Sequence, residues 1–288
     1  SGQAVPQSAL GAIYRTRRAV VVGDPLQVEP VVTIPKVLID ILADSTCVAN
    51  EYKVIENSAQ TFADNINEFN GMIGERQVGC PLVVHRRCIE PMFCISNLIS
   101  YDNRMFNKTN KKEEYLKPEK PFLIKKSGWI NVEGVENGGK DHFVKNQAER
   151  VCQLMEDAVH IYSDLFETDD KIFIITPFRT VAESMRKFII SYFSAKGYDK
   201  EILSKWTKNC VGTVHTFQGK DANEVLLVLG CSNKSAGAMN WVVKKANILN
   251  VACTRAKYRI AFIGNINDWK NRRYFREFIP KLIDIINV

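Results

Sequence analysis

The 288-residue chain is 45% hydrophobic with 16 glycines and 10 prolines, the usage of a folded globular protein with room for two domains, or for one large domain and part of another. Nothing approaches 18 consecutive apolar residues, which excludes a membrane-spanning helix, and the N-terminal residues lack the basic-then-apolar layout of a signal peptide. A net charge of +7 is a modest pointer to a polyanionic partner.

Along the chain, the first signal is Ala19-Val20-Val21-Val22-Gly23, a β-branched run closed by glycine, which predicts a buried parallel strand. Asp24-Pro25-Leu26-Gln27 follows as a loop at that strand's C-terminal end, where open α/β sheets place their ligands. Residues 50–80 read as helix and loop, closing on Gly79-Cys80-Pro81. Residues 101–141 are the least globular part. Residues 107–120 are dense in Lys and Glu, residues 133–141 carry three glycines, and Trp129-Ile130-Asn131-Val132 between them reads as one strand. The charged stretch is expected to be a solvent-exposed insertion.

From residue 144 the pattern alternates. Residues 146–162 read as a helix with Val151, Leu154, Met155, Ala158 and Val159 on one stripe. Residues 171–176 read as a strand and 181–195 as a helix, followed by strands at 211–214 and 225–230. A helix over 247–257, a strand over 259–264 and a final helix over 272–286 complete the series. Strands alternating with helices predict an α/β fold, a parallel sheet covered by helices on both faces. The eight cysteines form no CxxC pair, and only four histidines exist to complete a zinc site, so no metal site is expected. Several lie inside apolar runs, as Cys231 and Cys253 do, and they read as buried free thiols of a reducing cytoplasm.

Four segments carry chemistry. In the Gly23–27 loop, Gln27 can orient a water or sense a phosphate, although turns favour Asp and Pro in any case. His85-Arg86-Arg87 closes the apolar run Pro81-Leu82-Val83-Val84; guanidinium donors there suit an anion, or are a pair of surface arginines. Thr213-Val214-His215-Thr216-Phe217-Gln218-Gly219-Lys220-Asp221 runs a strand into a turn. Gly219 there allows close backbone approach, Asp221 can accept from a ribose, and His215 is a base or a satisfied structural histidine. In Asn250-Val251-Ala252-Cys253-Thr254-Arg255-Ala256-Lys257, an arginine within an apolar stretch needs an anion or a carboxylate to offset its desolvation.

In this order the segments resemble superfamily 1 helicases, on the branch that includes the RNA-surveillance helicase and related bacterial DNA helicases. Gly23-Asp24-Pro25-Leu26-Gln27 is similar to motif III, Leu82-Val83-Val84-His85-Arg86-Arg87 to motif IV, residues 211–221 to motif V, and residues 250–257 to motif VI. Ile174-Ile175-Thr176-Pro177-Phe178 is similar to the family's strand-end segment that faces nucleic acid. Ser1-Gly2-Gln3 stands where the family has the tail of a DExxQ motif, so that its Asp and Glu are expected upstream of residue 1.

The resemblance implies a RecA-like second helicase lobe over residues 81–288, with the charged insertion near 101–141, and a remnant of the first RecA-like lobe over residues 1–80. It implies that Arg86 and Arg255 approach the γ-phosphate of ATP as arginine fingers, with Gln27 as sensor and Gln3, His85, Gly219 and Asp221 near the nucleotide. His85 stands where the family often has a Tyr stacked on adenine, and Asp221 where it usually has Glu. Thr176, Pro177, Phe178 and His215 are implied on a face for single-stranded nucleic acid, DNA favoured over RNA. Mg²⁺ is implied with ATP, but its ligands and the sequence GxxxxGK[ST] do not occur in the chain. The function expected is therefore the C-terminal motor portion of a cytoplasmic ATP-dependent helicase, partnered by an N-terminal lobe and inactive as an ATPase alone. The alternatives are a non-enzymatic nucleic-acid-binding module and an interaction scaffold using the insertion.

Overall fold

The computed structural model describes residues 2–27, 29–53, 57–74, 76–109, 121–138, 141–217, 219–282 and 285–287. Ser1, Gln218 and most of the charged stretch read over 107–120 lie outside the described residues. The chain divides into two compact units, Ser1–Val83 and Val84–Val288.

The N-terminal unit holds helices α1 (Pro6–Tyr14), α2 (Lys36–Ser45) and α3 (Ala59–Ile66), and a hairpin of β1 (Gly71–Ile73) and β2 (Arg76–Val78). Pro6 starts α1 where its missing N–H costs nothing, and Ser58 caps α3 in a reciprocal box with Thr61. Arg76 ties the hairpin to the rest of the unit through the Pro25 carbonyl at 3.0 Å and Thr61 Oγ1 at 3.1 Å. The strand expected over residues 19–23 does not form. The run is in no strand, and Val20 is 90% and Val22 70% exposed. A buried parallel strand needs neighbouring strands to cover its side chains on both faces, and among the described residues this unit holds one two-stranded hairpin.

The C-terminal unit is built on a six-stranded, all-parallel sheet. Its strands are β5 (Gly128–Asn131), β6 (Ile172–Thr176), β7 (Val211–Thr213), β8 (Ala222–Val228), β9 (Ala256–Gly264) and β10 (Ile285–Asn287), in the spatial order β10-β5-β9-β8-β6-β7. Ile172–Thr176 and Val225–Val228 are buried throughout, because a central parallel strand is covered on both faces. Helices α5 (Lys145–Ile161), α6 (Arg179–Ser194) and α7 (Lys200–Cys210) lie in connections that step from β5 through β6 to β7. Helix α9 (Asn247–Arg255) lies in the return step from β8 to β9 and packs on α4 (Met92–Ser100). Right-handed crossovers running in opposite directions put these two helix groups on opposite faces, which gives the RecA-like α/β arrangement. On α5 the buried residues include Ala148, Val151, Cys152, Leu154, Met155 and Ala158, one stripe at helical spacing.

The final helix expected over 272–286 is broken. Phe275–Phe278 makes one short helix, Ile279–Lys281 a 3₁₀ turn, and Ile285–Asn287 pairs with β5 as a strand. Pro280 removes the N–H a continuing helix needs, and Phe275 and Phe278 are instead buried with Trp129 and Phe262 at the sheet.

Candidate functional site

The parallel sheet has two ends, and the candidate residues of the C-terminal unit divide between them. At the N-terminal ends of β8 and β9, α9 passes into β9 without an intervening loop, so Arg255 and Lys257 flank the point where Ala222 pairs with Ala256. Lys257 Nζ makes an ion pair with Asp221 at 2.8 Å. Arg255 is 0% exposed. Its Nη1 donates to the carbonyls of Phe217 (3.2 Å) and Lys220 (2.9 Å), its Nε to Val251 O (3.1 Å) and its Nη2 to Thr254 Oγ1 (3.1 Å). The guanidinium thus clamps the 217–220 turn, in which Gly219 adopts φ +87, a conformation glycine takes without strain. Among the described residues no carboxylate pairs with Arg255. Burial, and next the nearby charge of Arg87, push its pKa down to about 10, with Asp221 acting in the other direction.

The arginine pair reaches the same end. Strand β3 (Val84–His85) pairs with β4 (Phe106–Asn107), and the Ile89 N–H donates to Lys257 O at 3.2 Å. His85 Nε2 accepts the Cys88 N–H at 2.9 Å, and its ring packs on Phe93 with centroids 5.2 Å apart, so the imidazole braces this turn. Arg86 is exposed, whereas Arg87 is half-buried and its charge acts on both Arg255 and Cys88. The His-Arg-Arg triplet is visible in the sequence, but not that the half-buried Arg87 is the one whose charge acts on Arg255. Asn250 underlies the site, donating to Tyr101 Oη at 3.1 Å and accepting from the Ser96 hydroxyl.

Thr176, Pro177, Phe178 and His215 lie at the opposite, C-terminal ends of β6 and β7, where Thr176 pairs with Thr213. Thr176 is 1% and Phe178 8% exposed, and Pro177 is buried with them. The Phe178 ring sits against His142 (4.8 Å) and Trp241 (5.9 Å). His215 is on the surface, where partial desolvation lowers its pKa below the ordinary 6.5. In the N-terminal unit, Gly2 packs so closely on Asp24 that an added Cβ would lie 2.8 Å from its carbonyl oxygen, which brings the exposed Gln3 near the 23–27 turn. Asp24 Oδ2 holds Gln27 Nε2 at 2.8 Å, and Asp24 Oδ1 accepts the Leu26 N–H at 2.9 Å.

Asp221 is engaged by Lys257 and no second carboxylate joins it among the described residues, so this end of the sheet fits an anion and not Mg²⁺. Glu136, His142 and Cys231 lie with ligand atoms within 4.8 Å of one another. Glu136 Oε2 accepts from His142 Nδ1 (2.9 Å) and Ser235 Oγ (2.8 Å), and Oε1 from Ser232 N (2.8 Å) and Ser232 Oγ (3.0 Å). Burial alone would raise Glu136, but these bonds outweigh it and hold its carboxyl below the usual range. Burial pushes the Cys231 thiol up to about 12, which keeps it protonated. The trio as bonded is a latch between residues 136–142 and the start of the 231–242 segment.

A parallel sheet flanked by helices defines a RecA-like α/β lobe. The model of an AAA domain family matches residues 69–267, more than half of the chain. Human probable helicase senataxin is 24% identical over 278 residues, covering 93% of this chain and 9% of that protein. An uncharacterised ATP-dependent helicase of Methanocaldococcus jannaschii is 29% identical over 154 residues, 52% of this chain and 20% of that protein. The Arabidopsis thaliana homologue of regulator of nonsense transcripts 1 is 33% identical over 136 residues, 47% of this chain and 10% of that protein. The chain therefore spans at most a fifth of these relatives. It belongs to the superfamily 1 helicases through this AAA domain.

Proposed function

We propose that the chain is the C-terminal motor portion of an ATP-dependent helicase or translocase, and that its C-terminal unit supplies the arginines that neutralise the γ-phosphate during hydrolysis. The observation that carries this is Arg255, a fully buried guanidinium with no carboxylate partner among the described residues, facing the charge of Arg87. Burying an unpaired charge costs several kcal/mol, and two like charges add to it, so a structural role alone is a poor reason to keep both. A phosphoryl group spreading negative charge in its transition state offsets the cost and gains rate. Of the arginine pair we assign this role to Arg87 ahead of the exposed Arg86. Gly219 and Asp221 border the nucleotide, and Gln27, Gln3 and His85 keep the supporting roles their motifs imply.

A P-loop and the Mg²⁺ carboxylates do not occur in these 288 residues, so they belong to another lobe of the working motor. The exposed Val20 and Val22 fit this, as a strand-forming run that a larger sheet would cover. The opposite end of the sheet, around Thr176–Phe178 and His215, takes single-stranded nucleic acid, DNA ahead of RNA, in the cytoplasm. The net charge of +7 supports a polyanion on the protein. The test is the purified 288-residue chain, for which neither ATP hydrolysis nor unwinding is expected. Nucleic-acid-stimulated hydrolysis by this chain, abolished by Arg255→Ala, would overturn the proposal.

A further inference from the structure

We propose that Trp241 is a base-stacking platform that selects unpaired nucleotides at the C-terminal end of the sheet; the proposal rests on the reading of the chain as a nucleic-acid motor. Trp241 lies on the short helix Ala236–Val242, outside every motif that marked the chain's family, and is 50% exposed. An indole half in water loses the burial that normally justifies so large an apolar ring, and a flat partner would restore it. The other three tryptophans, Trp129, Trp206 and Trp269, are all buried.

The ring is held in place. The ring meets Phe178 at 5.9 Å, and Phe178 in turn meets His142 at 4.8 Å, a row of three aromatic rings with the buried Phe178 at its centre. Glu136 locks the row: it takes His142 on one side and Ser232 and Ser235, at the start of the segment that carries Trp241, on the other. The Lys244 N–H donates to the Trp241 carbonyl at 3.2 Å and closes this turn, and Arg272 donates to Asn240, the residue before Trp241. Arg179 follows Phe178 with its side chain 89% exposed, paired with Glu183 at 2.9 Å. A pre-positioned aromatic face on a basic protein is the arrangement that binds single strands, because every unstacked base offers a π-face and cationic side chains meet the phosphates. In a duplex those faces are already stacked, so the ring discriminates against paired bases.

Because Trp241 is the one surface indole, its fluorescence reports the contact directly. The experiment titrates the 288-residue chain with fluorescein-labelled oligo-dT of about 15 nucleotides, a length near the upper site size of single-strand modules, and follows oligonucleotide anisotropy and tryptophan emission together. Binding with quenched emission is expected, together with roughly 5- to 150-fold weaker binding by Trp241→Ala and little quenching by a blunt duplex. Trp241→Phe keeps a ring: it is expected to bind within several-fold of the parent while its emission no longer responds. Should Trp241→Ala fail to fold, the parent and the Phe variant decide. Binding without quenching, quenching that persists in Trp241→Phe, or equal binding by folded Trp241→Ala would sink the platform and leave the motor reading standing. No binding to either strand form would overturn both.

Discussion

Replacing Arg255 tests whether the buried guanidinium holds the 217–220 turn. Arg255→Ala deletes the stem of a fully buried side chain and takes its donor from the Lys220 carbonyl, while the Phe217 carbonyl keeps the Lys220 N–H at 3.0 Å. An abandoned acceptor costs about 1–3 kcal/mol when buried, and the lower figure applies here because Lys220 is exposed. The void adds about 2 kcal/mol, toward the low end of the range for large-to-small changes in a core. Removing a desolvated charge that faces Arg87 offsets about one hydrogen bond's worth of this, which leaves a net loss of about 2 kcal/mol. Arg255→Met keeps the volume and loses only the donors, so about 1–2 kcal/mol is expected. Urea unfolding followed by the buried Trp129, Trp206 and Trp269, all in the C-terminal unit, reads both values. If both variants unfold within about 0.5 kcal/mol of the parent, inside the range of ordinary surface substitutions, the clamp does not exist.

Three further outcomes follow from the same geometry. Arg87→Met relieves the like charge on Arg255, so the Arg255 pKa rises and the chain gains a little stability at low salt, with the gain shrinking as salt screens it; equal stability at all salt concentrations refutes the coupling. Cys88, Cys152, Cys210, Cys231 and Cys253 are buried, so a thiol reagent is expected to modify only Cys47, Cys80 and more slowly Cys94 in the native chain, and all eight in denaturant. Prompt native modification of Cys231 or Cys253 contradicts the packing. Desolvation depresses His215, so the unfolded chain takes up a proton there before the folded one and stability falls as pH drops through the ordinary value of 6.5. His215→Gln is expected to flatten part of that fall in unfolding midpoints measured between pH 7.5 and about 5.

Legibility in the sequence followed burial. The central strands show through their apolar stretches Ile172–Ile175, Val225–Val228 and Ile260–Ile263, which are buried, while their polar starts at Asn223-Glu224 and Lys257 do not show, and the α5 stripe shows because one face of that helix is covered. Val20-Val21-Val22 carries the same signal but stays exposed and joins no strand, which local pattern cannot reveal. The helix expected over 272–286 breaks at Pro280, and the residues beyond it join the sheet. At the site, Arg255 and Asp221 stood out by residue type and motif order. Arg87 and the latch Glu136–His142 did not, because what distinguishes them is which way a side chain turns and what lies across space from it.

The central claim is that Arg255 and Arg87 act on the transferring phosphoryl group. Its most direct measurement is kcat beside ATP affinity, in a polypeptide that joins a P-loop lobe to this chain, for Arg255→Lys and Arg87→Lys. A lysine keeps the charge but loses the planar fork of donors. We expect kcat to fall by about 10³-fold or more for each, with ATP affinity within about threefold of the parent. A kcat within about tenfold of the parent in both variants would contradict the claim.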